Sequence, residues 1–591
     1  MTLELLWPGK YDAAGRRAPI PRFGDVVRPI VVFPGSDPAR LVEGDNLRAL
    51  DALDETLRGR VNLVYLDPPF ATGSRFALQT RVGSGKRGPE VERFAYDDRF
   101  DGGVEGLVRM LDPRLRLLHE LLAPDGSLYV HVDPIASHAV KLLLDEIFGA
   151  DGFQREIVWR IGWVSGFKTR ARNWIRNHDV ILFYTKDPRQ FTFNKLYTPY
   201  PAGYRRRDGA LPTGQGVPVD DVWNANEAEF ALRGRDSLDS IQIKSFSTEK
   251  SGYATQKNES LLRRIVAASS QPGDLVLDPF CGSGTTGVAA VELGRRFIGC
   301  DSSHAALHVA KKRLLSLSCG RGLVLERVVR RGAATATVES PNVSVDSSSE
   351  SEGSEARGPL ADADPERAAT ESAAPADRSE PRRSGAGSSA SGEEAASRRS
   401  GAGSAPPGEE AASRCSGAGS ARPGNDSEAC HASSPGSGIA GSNAASDASP
   451  PSETADSGAV QDASSPRGSS TAEVVARRIE GASDAIEVEL RNFEFGPEVA
   501  VPSAVHVAVE SWSDLLDAWW IAVEDDPPRV LFHAFRTHRE RALTVVARVS
   551  VEPTWSRLRV RLTDVLGGEV DVVLTPNAVQ APNSPAAGNP A

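Results

Sequence analysis

The chain has 591 residues, a formal net charge of −11 and five cysteines. The acidic balance gives no global signature of a nucleic-acid binder, the cysteines show neither CxxC pairing nor metal-ligand spacing with histidine, and no apolar run approaches a membrane span. Met1-Thr2-Leu3-Glu4 lacks the basic start and apolar core of a secretory signal, so a cytoplasmic, reducing setting is expected. Charge is unevenly spread, however. Arg155, Arg160, Lys168, Arg170, Arg172, Arg176 and Lys186 make one stretch locally basic.

Short apolar runs alternating with amphipathic stretches predict an α/β domain over 1–330. Residues 61–66 read as a buried strand running directly into Asp67-Pro68-Pro69-Phe70. Helical spacing over 108–122 leads through Gly126 to a strand at 127–132, then to an amphipathic helix over 136–148 with Gly149 just past its end. A strand at 179–185 precedes 187–250, which is poor in periodicity and mixes Gly, Pro, Arg, Asn and aromatic residues. Irregular insertions of this kind are usually functional or disordered. A helix over 258–270, a strand at 274–277, a helix over 286–293, a strand at 296–299 and a helix over 305–315 follow.

Composition then changes. Residues 331–472 are dominated by Ser, Ala, Gly, Pro and Glu, and Ser384-Gly-Ala-Gly-Ser recurs at Ser400 and Ser416. A repeat this polar cannot bury a core, which predicts a disordered linker. Strands at 485–490, 530–532, 544–549, 557–562 and 570–574, with Gly567-Gly568 as a hairpin turn, predict a small mostly-β domain over 473–580, followed by a tail at 581–591.

Two constellations carry chemistry. Asp278-Pro279-Phe280-Cys281-Gly282-Ser283-Gly284-Thr285-Thr286 lies between a strand and a helix, where glycine admits close backbone approach and a helix start offers free N–H groups. A lone Gly-x-Gly fits an ordinary tight turn equally well. Asp301, about twenty residues on at the end of the next strand, shifts the reading toward a nucleoside cofactor whose ribose it can bind. The third glycine of the dinucleotide fingerprint is missing, so NAD fits poorly. In Asp67-Pro68-Pro69-Phe70 the prolines fix backbone torsion, so that a carboxylate and a proline carbonyl can converge on one NH2 group while Phe70 stacks on a ring. His131 and His178 read as packing or hydrogen-bonding residues rather than metal ligands.

In this order the motifs resemble the β class of amino-methylating DNA methyltransferases over about 41–315. Asp67-Pro68-Pro69-Phe70 is similar to their catalytic motif IV, 278–286 to motif I, and Asp301 to the acid of motif II. Tyr253-Ala254-Thr255-Gln256-Lys257-Asn258 is similar to motif X, with Asn258 where proline is usual, and Phe70 stands where tyrosine is commoner. Gly44-Asp45-Asn46-Leu47 is similar to a segment whose Asp contacts the cofactor adenine. The resemblance implies a Rossmann-like fold with permuted motif order and S-adenosylmethionine held by Asp45, Lys257, Asp278, Phe280, Gly282, Gly284, Thr285 and Asp301, with no metal. It implies catalysis by Asp67, Pro68, Pro69 and Phe70 on a base flipped out of double-stranded DNA.

An Asp at the first position of the tetrad points to adenine N6, because Ser is commoner in the cytosine-N4 enzymes. Cytosine-N4 methylation and a non-catalytic DNA-binding subunit of a restriction or phage-defence complex are the alternatives, and a homodimer or such a complex is the assembly the resemblance allows. It places target recognition within 187–250, where Arg205-Arg206-Arg207, Trp223 and Lys244 are candidate contacts. The arginine triplet reads equally as a solvated charge run. Residues 512–519, 535–537 and 560–567 are similar to a β-sandwich appended to some bacterial methylases, for which a structural or partner-docking role is expected.

Overall fold

The computed structural model describes residues 3–71, 73–83, 89–160, 172–223, 249–317, 319–332, 470–482, 484–502, 505, 509, 511–537 and 540–580. These belong to one compact unit, Met1–Val343 with Gln461–Ala591. The stretch read as a linker lies almost entirely outside the described residues, as do Lys168, Arg170, Lys244 and the tail.

The chain opens with β1 (Asp25–Phe33), β2 (Ser36–Glu43), α1 (Asn46–Leu57) and β3 (Val61–Leu66). A hairpin, β4 (Arg75–Arg81) and β5 (Glu90–Asp97), separates these from α2 (Val104–Leu121), β6 (Leu122–Val132), α3 (Pro134–Phe148), β7 (Phe153–Arg160) and β8 (His178–Thr185). Three two-residue strands follow: β9 (Tyr197–Thr198), β10 (Val217–Pro218) and β11 (Val222–Trp223). The next series is α4 (Glu259–Ala268), β12 (Leu275–Asp278), α5 (Thr285–Glu292), β13 (Arg296–Asp301), α6 (His304–Leu315) and β14 (Arg321–Arg330).

The sheet runs β11-β7-β8-β6-β3-β12-β13-β2-β14-β1, and its centre from β6 to β14 is parallel throughout. Between β3 and β12 the order changes direction: β6, β8 and β7 lie to one side, and β13, β2 and β14 to the other. Open α/β sheets bind ligands at such a switch, outside the carboxyl ends of the strands. Alternate strand residues face opposite layers. Val64 and Leu66 pack under α1, α2 and α3, while Leu63 and Tyr65 pack under α4, α5 and α6. Burial on both faces explains why the parallel strands read as continuous apolar runs.

The C-terminal region is mostly strands, as expected. β15 (Thr471–Arg478), β16 (Ala485–Glu494) and β19 (Val546–Ser550) form a three-stranded antiparallel sheet. β17 (Leu516–Val523), β18 (Arg529–Phe535), β20 (Leu558–Asp564) and β21 (Glu569–Leu574) form an antiparallel series, joined to β1 through β18 at Val32 and Arg529. Ile486, Val488 and Val549 from the first set share a core with Trp519, Ile521, Val560 and Leu562 from the second, which makes the region sandwich-like.

A buried ion pair also ties this region to α6. Both Asp517 oxygens accept from Lys312 Nζ at 2.8 Å, and His308 Nε2 lies 2.7 Å from Oδ2. The Lys312 ammonium keeps the buried Asp517 carboxyl well below its usual range, whereas burial pushes His308 down to about 3 and leaves it neutral. Removing one partner of a buried pair leaves the other charge uncompensated. Asp517→Ala is expected to lower the unfolding free energy by about 3 kcal/mol in urea titration; an unchanged midpoint would show that the contact adds nothing.

Candidate active site

Parallel strands deliver their last residues to one edge of a sheet, and here that edge carries the chemistry. Asp67-Pro68-Pro69-Phe70 leaves the end of β3, Asp278 ends the neighbouring β12, Asp301 ends β13, and Gly44-Asp45 follows β2. Asp45, Asp67, Pro68, Pro69, Phe70, Lys257, Asp278, Phe280, Gly282, Thr285 and Asp301 line a single cavity.

Asp67 is half-buried. Its Oδ2 accepts from Lys257 Nζ, and its Oδ1 is buried without a hydrogen-bond partner. The Phe70 ring has the Lys257 ammonium 5.2 Å from its centroid and the His131 ring at 5.9 Å. His131 is itself held: Tyr65 Oη lies 2.8 Å from Nδ1, Asp179 Oδ2 lies 3.3 Å from Nε2, and Trp159 packs edge-on at 5.3 Å. The tetrad therefore rests on a buried polar network in which one Asp67 oxygen is left without a partner.

The loop after β12 is built differently. Asp278 is bonded within its own segment, accepting from Phe280 N at 3.0 Å and Thr286 Oγ1 at 2.5 Å. Burial nonetheless pushes it up to about 7. Asp301 accepts from Gly282 N and Ser303 N, each at 2.8 Å, and burial raises it to about 6. Each Asp301 oxygen retains a lone pair, so the acid can accept from a further hydroxyl. Arg313 of α6 clamps the loop, donating to Ser283 O at 2.9 Å and Thr285 Oγ1 at 2.8 Å, with Glu259 Oε1 at 2.8 Å holding its other nitrogen. Across the cavity the Phe76, Tyr96 and Tyr253 rings form a stacked series, with centroids 4.9 and 6.5 Å apart.

Gly284 departs from the other candidates. It does not line the cavity, and with φ +77° a Cβ there would meet the Ala310 Cβ at 2.7 Å. Its glycine serves the approach of the loop to α6. Asp45 is exposed, caps α1 through Arg48 N at 3.1 Å, and pairs with Arg114 Nη2 at 2.8 Å. Asn46, beside it, donates to Pro279 O at 2.8 Å and so ties the β2 and β12 loops together. Sequence reasoning missed Asn46, Arg114 and Arg313, because nothing local marks a side chain whose partner is contributed by a distant segment.

A family model described as DNA methylase matches residues 61–312. The type II methyltransferase M2.DpnII of Streptococcus pneumoniae is 30% identical over 279 residues, 46% of this chain and 88% of that protein. The chain belongs to this family of amino-methylating DNA methylases. The type II methyltransferase M.EcaI of Enterobacter cloacae is 28% identical over 330 residues, 47% of this chain and 69% of that protein. The DNA adenine methyltransferase YhdJ of Escherichia coli K12 is 27% identical over 290 residues, 47% of this chain and 84% of that protein.

In this DNA methylase, Arg205, Arg206 and Arg207 are all exposed, with Arg206 near Asp208 at 3.5 Å. Trp223, considered from sequence as a DNA contact, is instead buried: β11 pairs with β7, its indole donates to Asp220 O at 2.8 Å, and the Arg264 guanidinium covers its ring at 5.1 Å. Its place within 187–250 made it a candidate contact, and the pairing of β11 with β7 buries it instead.

Gly284→Val adds a branched side chain at positive φ against the backbone and Cβ of Ala310. The expected outcome is a loss of about 2–3 kcal/mol in denaturant unfolding, partly recovered by Ala310→Gly in the same chain. A variant as stable as the parent would show that the loop tolerates the added volume.

Proposed function

We propose that this methylase transfers the methyl group of S-adenosylmethionine to adenine N6 in double-stranded DNA. The observation that carries the reading is the Asp67 carboxylate, with Oδ1 buried and unpartnered, facing the same cavity as the 278–285 loop and Asp301. Two features support adenine over cytosine: the Asp that opens the tetrad, and the likeness to a relative named as a DNA adenine methyltransferase.

In this reading the Asp301 carboxylate accepts from ribose hydroxyls, the backbone at Gly282 and Thr285 approaches the cofactor, and Asp45 contacts its adenine. These groups fit a nucleoside with an attached amino acid: an acid with spare lone pairs, a glycine loop at a helix start, and an aromatic wall. When bound, the sulfonium supplies an electrophilic methyl group. Asp67 Oδ1 and the Pro68 carbonyl accept from the target amino group, which draws its nitrogen lone pair away from ring conjugation. Phe70 offers a ring face to the flipped base. The chain thus contributes positioning and charge complementarity.

Transfer of labelled methyl to mixed-sequence DNA, followed by nucleoside mass spectrometry, tests this. N6-methyladenine is expected from the wild type, with activity reduced at least about a hundredfold in Asp67→Ala and cofactor affinity retained. N4-methylcytosine would preserve the mechanism and change the base; no transfer by a wild type that binds cofactor would overturn catalysis. Cofactor affinity is also expected to depend on pH. With Asp301 raised to about 6, lowering the pH protonates the carboxylate and removes an acceptor. Protonation of Asp301 alone is therefore expected to raise the dissociation constant about fourfold between pH of about 7.5 and about 5.5. Asp301→Asn is expected to lose that share of the dependence, leaving any share of Asp278, which burial raises to about 7.

A further inference from the structure

We propose that Lys257 is a positioning residue for Asp67, holding one carboxylate oxygen so that the other is presented to the target amino group. The inference rests on the methyl-transfer reading above and assigns Lys257 to the catalytic carboxylate rather than to the cofactor.

The geometry has three parts. Lys257 Nζ donates to Asp67 Oδ2 while Oδ1 is buried with no partner, so the two oxygens of one carboxylate have different states. Among the described residues, Lys257 is the sole cation paired with Asp67; Arg114, on the same cavity wall, is paired with Asp45 at 2.8 Å. The Lys257 backbone is anchored as well. Its carbonyl accepts from Thr285 Oγ1 at 3.3 Å, and the next residue, Asn258, caps α4 by accepting from Ser260 N at 2.8 Å. Lys257 therefore links two segments: its backbone bonds to Thr285 beside the loop after β12, and its side chain reaches the tetrad after β3.

The chemistry needs such a group. A carboxylate with both oxygens free can rotate about its last torsion, and it is itself a nucleophile toward a sulfonium methyl. An ammonium on Oδ2 lowers that nucleophilicity, fixes the plane of the carboxylate, and leaves Oδ1 as the oxygen without a partner. A charge-assisted bond of this kind is short and directional. It also keeps the pair close to neutral, so a neutral amino group can approach without the carboxylate drawing in a competing cation.

The test uses the full-length protein and measures S-adenosylmethionine affinity by calorimetry alongside single-turnover transfer to the DNA substrate that the wild type methylates. Lys257→Met is expected to slow transfer about a hundredfold while the cofactor dissociation constant stays within about threefold. Lys257→Arg, which keeps charge and donors with altered geometry, is expected to retain a measurable fraction of the rate. Lys257→Ala is expected to recover activity with added ethylammonium and not with tetramethylammonium, which has no N–H to donate. A structural role alone would not give that rescue.

Three outcomes would overturn the proposal: a loss of cofactor affinity that accounts for the slower transfer, which would return Lys257 to the cofactor; faster transfer in Lys257→Met, which would make it a plug over the tetrad; or no difference between the two ammonium ions. Absence of transfer by the wild type in the same assay would instead refute the methyl-transfer reading itself.

Discussion

The candidate site depends on one pairing, the parallel register of β3 with β12, in which Leu63 lies opposite Val276 and Val64 opposite Leu277. It brings Asp67 and Asp278 to one edge although more than two hundred residues of sequence separate them. The register sets the geometry in two steps. It aligns the carboxyl ends of the strands, and it leaves a gap above them, because the connections from β3 and β12 depart on opposite faces of the sheet. Helices α1–α3 and α4–α6 then fix the gap's walls by packing on those faces. Rigid elements hold the reacting groups, and loops supply only their last few ångströms.

Electrostatics reinforces this frame beyond the methylase core. His304, at the start of α6, lies between Glu43 at 3.4 Å and Glu569 at 3.5 Å, and these two acids push it up to about 9. Glu43 ends β2 immediately before Gly44-Asp45, while Glu569 opens β21. One protonated imidazole thus joins the wall of the candidate cofactor site to the C-terminal strands. With the buried Asp517 pair two turns along the same helix, α6 has one side committed to the loop after β12, through Arg313, and another to the C-terminal region.

Much of this was legible in the sequence where a signal was local. The strand 61–66 read as buried because both faces are apolar, 274–277 read as a strand, and Asp67, Asp278 and Asp301 stood out because each directly follows or ends a strand. The helix after Gly284 and the strand ending at Asp301 lie close to their expected bounds. The hairpin β4–β5 did not read as strands, since its residues alternate weakly and carry charge at Arg75, Arg81, Glu90 and Arg93. Helix α1 was overlooked although 46–57 has clear helical spacing, because Asp45 was read as a cofactor contact and not also as a cap. Lys257 was visible only as part of a motif. Its partner could not be read, because an ion pair between residues 190 positions apart leaves no local trace.

The contact between β18 and β1 has a consequence for the solubility of shortened chains. β1 carries the run Ile30-Val31-Val32-Phe33, and β18 meets it at Val32, whose N–H donates to Pro528 O at 2.8 Å. A sheet edge with this composition and no neighbour is a template for strand addition by another molecule. The C-terminal strands therefore cover this margin of the methylase core at Val32, and a polypeptide ending before residue 470 would carry that point uncovered into solution.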